Sequence, residues 1–155
     1  MPTAYILVGV PASGKSSWIR SQNWTRNCVT ASTDNYIDAV AKRTGKTYSE
    51  VFDEHMPDAI EDMLSIVVAA REAGRNIIWD QTSTTIYSRK KKFKMLPGYK
   101  MIAVVFKTPE ADEWKRRLDS RPGKHIPDEV LNFMSENFQM PTVEEGFHEV
   151  WHAES

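Results

Sequence analysis

Residues 4 to 16 read Ala4-Tyr5-Ile6-Leu7-Val8-Gly9-Val10-Pro11-Ala12-Ser13-Gly14-Lys15-Ser16. Ala4 to Val8 is a short apolar run with the signature of a buried strand. Gly9 to Ser16 matches G-x-x-x-x-G-K-[ST] at every fixed position, between that strand and a helix predicted to begin near Lys15. The spacing has a chemical reason. Gly9 and Gly14 admit backbone angles that turn several N–H groups inward, and a helix N-terminus follows, so the loop attracts phosphate oxygens. Lys15 places a point charge at the β- and γ-phosphates, and Ser16 offers a hydroxyl to Mg²⁺. The whole loop, with Pro11, Ala12 and Ser13 inside it and Ser17 just beyond, is the expected nucleotide site. No N-K-x-D element for guanine is present, so ATP is the expected nucleotide.

Working outward, short apolar runs alternate with helical periodicity. Cys28–Ser32, Asn76–Trp79 and Met101–Phe106 read as further strands, and Glu149–Trp151 as a weaker last one. Ile60, Met63, Leu64, Val67 and Val68 follow a helical repeat, with Gly74 as its C′ residue. Thr108-Pro109-Glu110 and Pro127-Asp128-Glu129 each carry the marks of a helix start, the second running to about Phe138. Strands joined by helical crossovers give a parallel sheet covered on both faces. The expected fold is a three-layer α/β P-loop kinase domain, with a parallel sheet of about five strands and a helical lid.

The chain has 155 residues, the size of one domain, and shows no internal repeat and no linker. With 41% apolar and 26% charged residues, a disordered or low-complexity protein is excluded. Lys and Arg number 20 against 21 Asp and Glu, so bulk charge does not coat nucleic acid, and any polyanion needs a local patch. The single cysteine, Cys28, cannot close an internal disulfide, and no apolar run reaches membrane length. The expected setting is cytoplasmic, without membrane attachment. The stretch from Asp128 to Ser155 holds seven acids and no Lys or Arg, and reads as a solvated acidic face.

In a parallel α/β sheet, ligands gather at the carboxyl ends of the strands. Asp34 and Asp80 fall there, after the second and third strands. Either is a helix cap or turn residue, or an acid that takes a proton from an attacking hydroxyl or orients a metal. Beside a phosphate loop, the pair favours phosphoryl transfer. Lys115-Arg116-Arg117-Leu118-Asp119-Ser120-Arg121-Pro122-Gly123-Lys124 closes one helix and precedes another. It is either a solvated helix end or a lid, with Arg121 or Arg117 facing the transferred phosphoryl group. Arg89-Lys90-Lys91-Lys92-Phe93-Lys94 is either a solvated face or a patch that tracks a nucleic-acid backbone. Tyr36, Trp79 and Tyr87 either stack on bases or belong to the core.

These blocks together resemble the kinase domain of the polynucleotide kinases carried by phages. Ser32-Thr33-Asp34-Asn35-Tyr36, Ile77-Ile78-Trp79-Asp80-Gln81-Thr82, Arg121-Pro122-Gly123-Lys124-His125-Ile126-Pro127-Asp128-Glu129-Val130-Leu131 and the tail Phe138–Phe147 carry the likeness. It implies an adenylate-kinase-like core, ATP, Mg²⁺ and transfer of the γ-phosphoryl group to a 5′-hydroxyl of nucleic acid. By position it makes Asp34 the general base, Asp80 an organiser of the acceptor site and Arg121 the lid arginine. Ile126, Pro127 and Val130 would receive the acceptor nucleotide. Two departures stand out. Ile37 occupies the position where the viral member carries an acceptor-handling arginine, and no D-x-D-x-T phosphatase block is present. Phages also carry small kinases that phosphorylate a hydroxymethyl group on a DNA base during hypermodification. That acceptor, a small hydroxyl compound, or a nucleotide switch with no acceptor, remain the other readings.

Overall fold

A computed structural model describes residues 1–153. The elements in order are β1 (Thr3–Val8), α1 (Lys15–Ser21), a 3₁₀ turn (Asn23–Asn27), β2 (Val29–Ser32), α2 (Asp34–Thr44) and α3 (Tyr48–Glu72). β3 (Ile77–Asp80), α4 (Ile86–Met95), β4 (Lys100–Phe106), α5 (Ala111–Asp119), α6 (Asp128–Glu136) and β5 (Glu149–Ala153) follow, with a 3₁₀ turn (Val143–Glu145) before β5. The five strands lie in the order β2-β3-β1-β4-β5, and every neighbouring pair is parallel. This is the expected P-loop kinase architecture.

Strand periodicity divides the core between the two faces of the sheet. Ala4, Ile6 and Val8 of β1 point to one face with Ile77, Trp79, Met101 and Ala103. Met63, Val67 and Ala70 of α3 and Leu96 cover that face. Leu7, Ile78, Ile102, Val104 and Phe106 point to the other, against Trp18 and Ile19 of α1. With no water on either side, central strands can be apolar along nearly their whole length, as β1 is after Thr3 and β4 is after Lys100. A third cluster joins α2 to α3 through Ile37, Val40, Val51 and Ala59. Because β1 leads away to β2 and β4 leads away to β5, the connections diverge above the carboxyl ends of two adjacent strands. Such a divergence opens a crevice for ligands.

Several boundaries differ from the sequence expectation. α3 begins well before Ile60, because Thr47 and Glu50 form a reciprocal capping box; Thr47 Oγ1 accepts from the Glu50 amide at 3.2 Å, and Glu50 Oε1 from the Thr47 amide at 2.9 Å. Its buried stripe is Val51, Ala59, Met63, Val67 and Ala70, so Ile60 faces outward at 42% exposure. α5 starts at Ala111, two residues past the proline expected to open it, and α6 ends at Glu136 rather than at Phe138.

Candidate active site

The phosphate loop is shaped by its glycines and braced from outside. A Cβ on Gly9 would lie 2.6 Å from Ser13 Oγ and 2.8 Å from Phe106 Cβ, so only glycine lets the loop close on β4. The Gly9 amide donates to the Thr82 carbonyl at 2.9 Å, which ties the loop to the segment after β3. Gly14 has φ of 105°, and even Ala12 is in the left-handed region at 62°. α5 supports the loop from the side: Trp114 Nε1 donates to the Pro11 carbonyl at 2.8 Å, and an Arg117 guanidinium nitrogen to the Ala12 carbonyl at 3.3 Å. Arg117 is steadied by Glu113 at 2.9 Å. Ser16 and Ser17 stand exposed in the first turn of α1. Ser13 is buried, and its hydroxyl has no protein partner.

Lys15 folds back over the loop. Its Nζ donates to the carbonyls of Gly9 at 2.7 Å and Val10 at 2.8 Å. Burial lowers its pKa to about 8, against the opposing pull of Asp80 and Asp34, while the Arg121 charge lowers it further. Burial also raises the carboxyl of Asp80; Lys15 lowers it and the Asp34 charge raises it again. Lys15 thus feels the charges of both strand-end acids and of Arg121, although Arg121 lies 106 positions further along the chain.

Asp34 is not a helix cap. Thr33 holds the N-cap position, and Asp34 sits exposed in the first turn of α2. Its Oδ1 accepts from the Tyr48 hydroxyl at 2.5 Å. Burial, with the Asp34 bond and charge, holds the Tyr48 phenol far above its usual range. The loop around Arg121 docks on the start of α3. The Ser49 amide donates to the Gly123 carbonyl at 2.9 Å, and the His125 amide to Ser49 Oγ at 2.8 Å. Lys124 Nζ pairs with Asp38 at 3.3 Å and lies 4.6 Å from the centre of the Tyr48 ring.

The remaining expected residues are placed less centrally. Ile126 is half-buried, whereas Pro127 and Val130 are exposed at the start of α6, on the lid side. Tyr36 packs against the α2–α3 cluster, and Trp79 is in the core. Ile37 is fully buried between α2 and α3, so that position contributes nothing to an acceptor. Arg89–Lys94 is not one basic surface, which corrects the sequence expectation. Arg89 is fully buried, with both Glu145 oxygens on its guanidinium at 2.7 and 2.9 Å and further bonds to the carbonyls of Ser83 and Gln139. Lys92 is also buried, its Nζ 5.1 Å from the Trp79 ring centre. Only Lys90, Lys91 and Lys94 face water. The helical periodicity places residues 89 and 92 on one face of α4, a signal that the charge run concealed.

Sequence reading missed Tyr48, Ser49, Lys124 and Trp114. The Thr47-x-x-Glu50 box was the one available signal, since it starts α3 at Tyr48.

Among the described residues no group of three metal-ligating side chains is present. The Ser16 hydroxyl and the Asp80 carboxylate, beside a phosphate cradle, fit a Mg²⁺ ion that arrives with phosphate ligands, since Mg²⁺ typically takes only one or two protein carboxylates. No helix among the described residues is long and apolar enough to cross a membrane.

Fold and loop together define a P-loop nucleotide-binding domain of the kinase type. The chain belongs to the AAA_33 family, described as an AAA domain, whose model matches residues 5–141. It is 27% identical over 150 residues to the bifunctional polynucleotide phosphatase/kinase of Schizosaccharomyces pombe, covering 94% of this chain and 32% of that protein. It is 25% identical over 151 residues to the heterogeneous nuclear ribonucleoprotein U-like protein 2 of Mus musculus, covering 88% of this chain and 19% of that protein. The chain thus spans a third or less of these relatives. Among solved structures, a candidate kinase of Chloroflexus aurantiacus superposes with a TM-score of 0.71 at 16% identity, over 98% of this chain and 84% of that one. A chain of the Pnkp1/Rnl/Hen1 RNA repair complex superposes with a TM-score of 0.64 at 25% identity, over 89% of this chain and 46% of that one.

Proposed function

We propose that this domain transfers the γ-phosphoryl group of ATP to a hydroxyl of nucleic acid, with a polynucleotide 5′-hydroxyl as the favoured acceptor. The observation that supports the transfer is the placement of Asp34 after β2 and Asp80 at the end of β3 beside the phosphate-loop lysine Lys15, which both acids and Arg121 affect by charge. The nucleic-acid acceptor is supported by the likeness to the fission-yeast phosphatase/kinase across nearly the whole chain.

The residues divide the work. The loop amides from Gly9 to Gly14 cradle the phosphates, and Lys15 exchanges its two carbonyl partners for phosphate oxygens. Ser13, Ser16, Ser17 and Arg117 line the same cradle. Asp34 accepts the proton of the acceptor hydroxyl as its oxygen bonds to the γ-phosphorus. The bond between that phosphorus and the bridging oxygen breaks, and ADP leaves with the electron pair. Arg121 stabilises charge on the equatorial oxygens. Ser16 and Asp80 would hold Mg²⁺, which supplies charge neutralisation on the phosphates. Asp80, Tyr36, Ile126, Pro127 and Val130 border the acceptor. With Ile37 buried, the acceptor's own phosphates would be met elsewhere, at the exposed Lys90, Lys91 and Lys94.

The test is transfer of labelled γ-phosphate from ATP, with Lys15→Ala as the blank, to a 5′-hydroxyl oligonucleotide and to a 5′-blocked duplex bearing hydroxymethyl-pyrimidine. Label at the 5′ end is the expected result. Label only in the modified duplex moves the acceptor to the base. Label in neither, with ATP bound, overturns the nucleic-acid reading and points to small hydroxyl compounds or a switch.

A further inference from the structure

Asp34 is an exposed side chain in the first turn of α2, and an exposed carboxylate rotates freely unless something holds it. Here something does. Tyr48 Oη donates to Oδ1 at 2.5 Å, and among the described residues Asp34 makes no other side-chain hydrogen bond. A hydroxyl bonded to a carboxylate is a strong, charge-assisted partner. It fixes one oxygen and leaves Oδ2 for an incoming hydroxyl.

Tyr48 is itself held from several sides. It opens α3, whose start is fixed by the Thr47–Glu50 capping box. Its ring meets Phe52 with centroids 5.6 Å apart, and Lys124 Nζ lies 4.6 Å from its centre. Lys124 is anchored in turn by Asp38, one turn along α2 from Asp34. The neighbouring backbone bonds the same loop, through Ser49 to Gly123 and His125. Gly123 has φ of +75°, and a Cβ there would lie 2.9 Å from Thr47 Cβ, so the loop approaches α3 more closely than a side chain allows. The element that carries Arg121 therefore also clamps the residue that holds Asp34.

We infer that Tyr48 is a positioning residue for Asp34, secured by the docked lid loop Arg121–His125, so that lid docking and aiming of the base are a single event. This rests on the proposed role of Asp34. Tyr48 keeps its proton throughout; the proton of the acceptor goes to Asp34, and no further reactant is needed.

The experiment has two arms. In the first, transfer from ATP to a 5′-hydroxyl oligonucleotide is measured for Tyr48→Phe, Lys124→Ala, their combination and Asp34→Asn, with melting midpoints recorded for each. Losing a bond to a charged group predicts a kcat for Tyr48→Phe lower by about tenfold or more, with KM for ATP little changed. Lys124→Ala has a smaller effect, and the combined variant is no slower than Tyr48→Phe, because Lys124 acts through Tyr48. In the second arm, the ¹³Cζ resonance of Tyr48 is compared between the unaltered protein and Asp34→Asn, and it is expected to move. This arm needs no acceptor. An unmoved resonance overturns the inference by itself. Inactive Asp34→Asn with Tyr48→Phe at full kcat also overturns it, while leaving the base assignment intact. Fully active Asp34→Asn overturns the base assignment and the inference with it.

Discussion

The two halves of the site are built in different ways. The nucleotide half is one continuous stretch, Gly9 to Ser16, in which backbone groups are the working parts. Even its lysine bonds carbonyls only five and six residues away. The acceptor half is assembled from side chains far apart in the chain: Tyr48 on Asp34 across 14 residues, His125 on Ser49 across 76 and Lys124 on Asp38 across 86. The loop's shape is set by adjacent residues and braced from outside by Thr82, Trp114 and Arg117. An assembly of long-range bonds depends on how α2, α3 and the Arg121–His125 loop come together. On the proposed function, nucleotide affinity is expected to follow the first and turnover the second.

The sharpest test of that division is Arg121→Ala. It should lower turnover by ~10³–10⁵ while ATP affinity changes far less, measured by steady-state kinetics alongside calorimetric titration. A large loss of affinity with turnover intact would contradict that division.

Arg89 tests the frame behind both halves. Arg89→Met leaves Glu145, whose side chain is 6% exposed, without its partner. A loss of about 3–5 kcal/mol is expected in denaturant unfolding. Pairing the change with Glu145→Leu should recover much of that loss, because no lone charge then remains inside.

A matched pair of glycines separates the two halves. Each corner has one packed against a close neighbour: Gly9 against Ser13 and Phe106, and Gly123 against Thr47. Alanine at either position overpacks and should cost about 1–3 kcal/mol of stability. The functional outcomes should part. Gly9→Ala weakens ATP binding, whereas Gly123→Ala binds ATP normally and transfers slowly. Equal effects on binding would erase the distinction.

Lys92 offers a smaller, pH-dependent effect. Burial lowers its pKa to about 8, from an ordinary 10.5, so at neutral pH the folded protein carries a disfavoured charge. Between those values the unfolded chain keeps a proton that the folded one has lost, so this group's contribution to stability rises with pH across that window. Lys92→Met should therefore gain about 1–2 kcal/mol at pH 7, net of the ammonium's attraction to the Trp79 ring, and the gain should fade toward pH 10. A gain that grows with pH would contradict the assigned cause. The least effect is expected from replacing Lys90, Lys91 and Lys94 with glutamine. Stability should change by less than about 0.5 kcal/mol, and the salt dependence of DNA binding should flatten by about 0.7–0.9 for each phosphate that is no longer neutralised.

The division also decides what could be read from the sequence. The strand-loop-helix of Ala4 to Ser16 is legible because all its parts are adjacent and its glycines have no other use. The sheet follows from apolar runs whose neighbours on both faces are helices. The positions of Asp34 and Asp80 beside the phosphate loop are legible because each closely follows an apolar run that reads as a strand. Tyr48, Ser49 and Lys124 are not, since their roles exist only once the lid loop meets α3, and nothing local in Tyr48 announces a partner at Asp34. Arg89 misleads in the opposite sense. Five charges in six residues read as a surface, until helical geometry turns Arg89 and Lys92 inward, where a glutamate 56 residues away and a tryptophan ring receive them.

The buried arginine also bears on where this domain can be cut. The family model ends at residue 141, four residues before Glu145 and ahead of the last strand. A fragment trimmed to that boundary would lose the counter-charge of Arg89 together with the edge of the sheet. Arg89 also holds the Ser83 carbonyl, in the segment that leaves Asp80. Trimming at the family boundary would therefore disturb the segment after Asp80 from the far end of the chain.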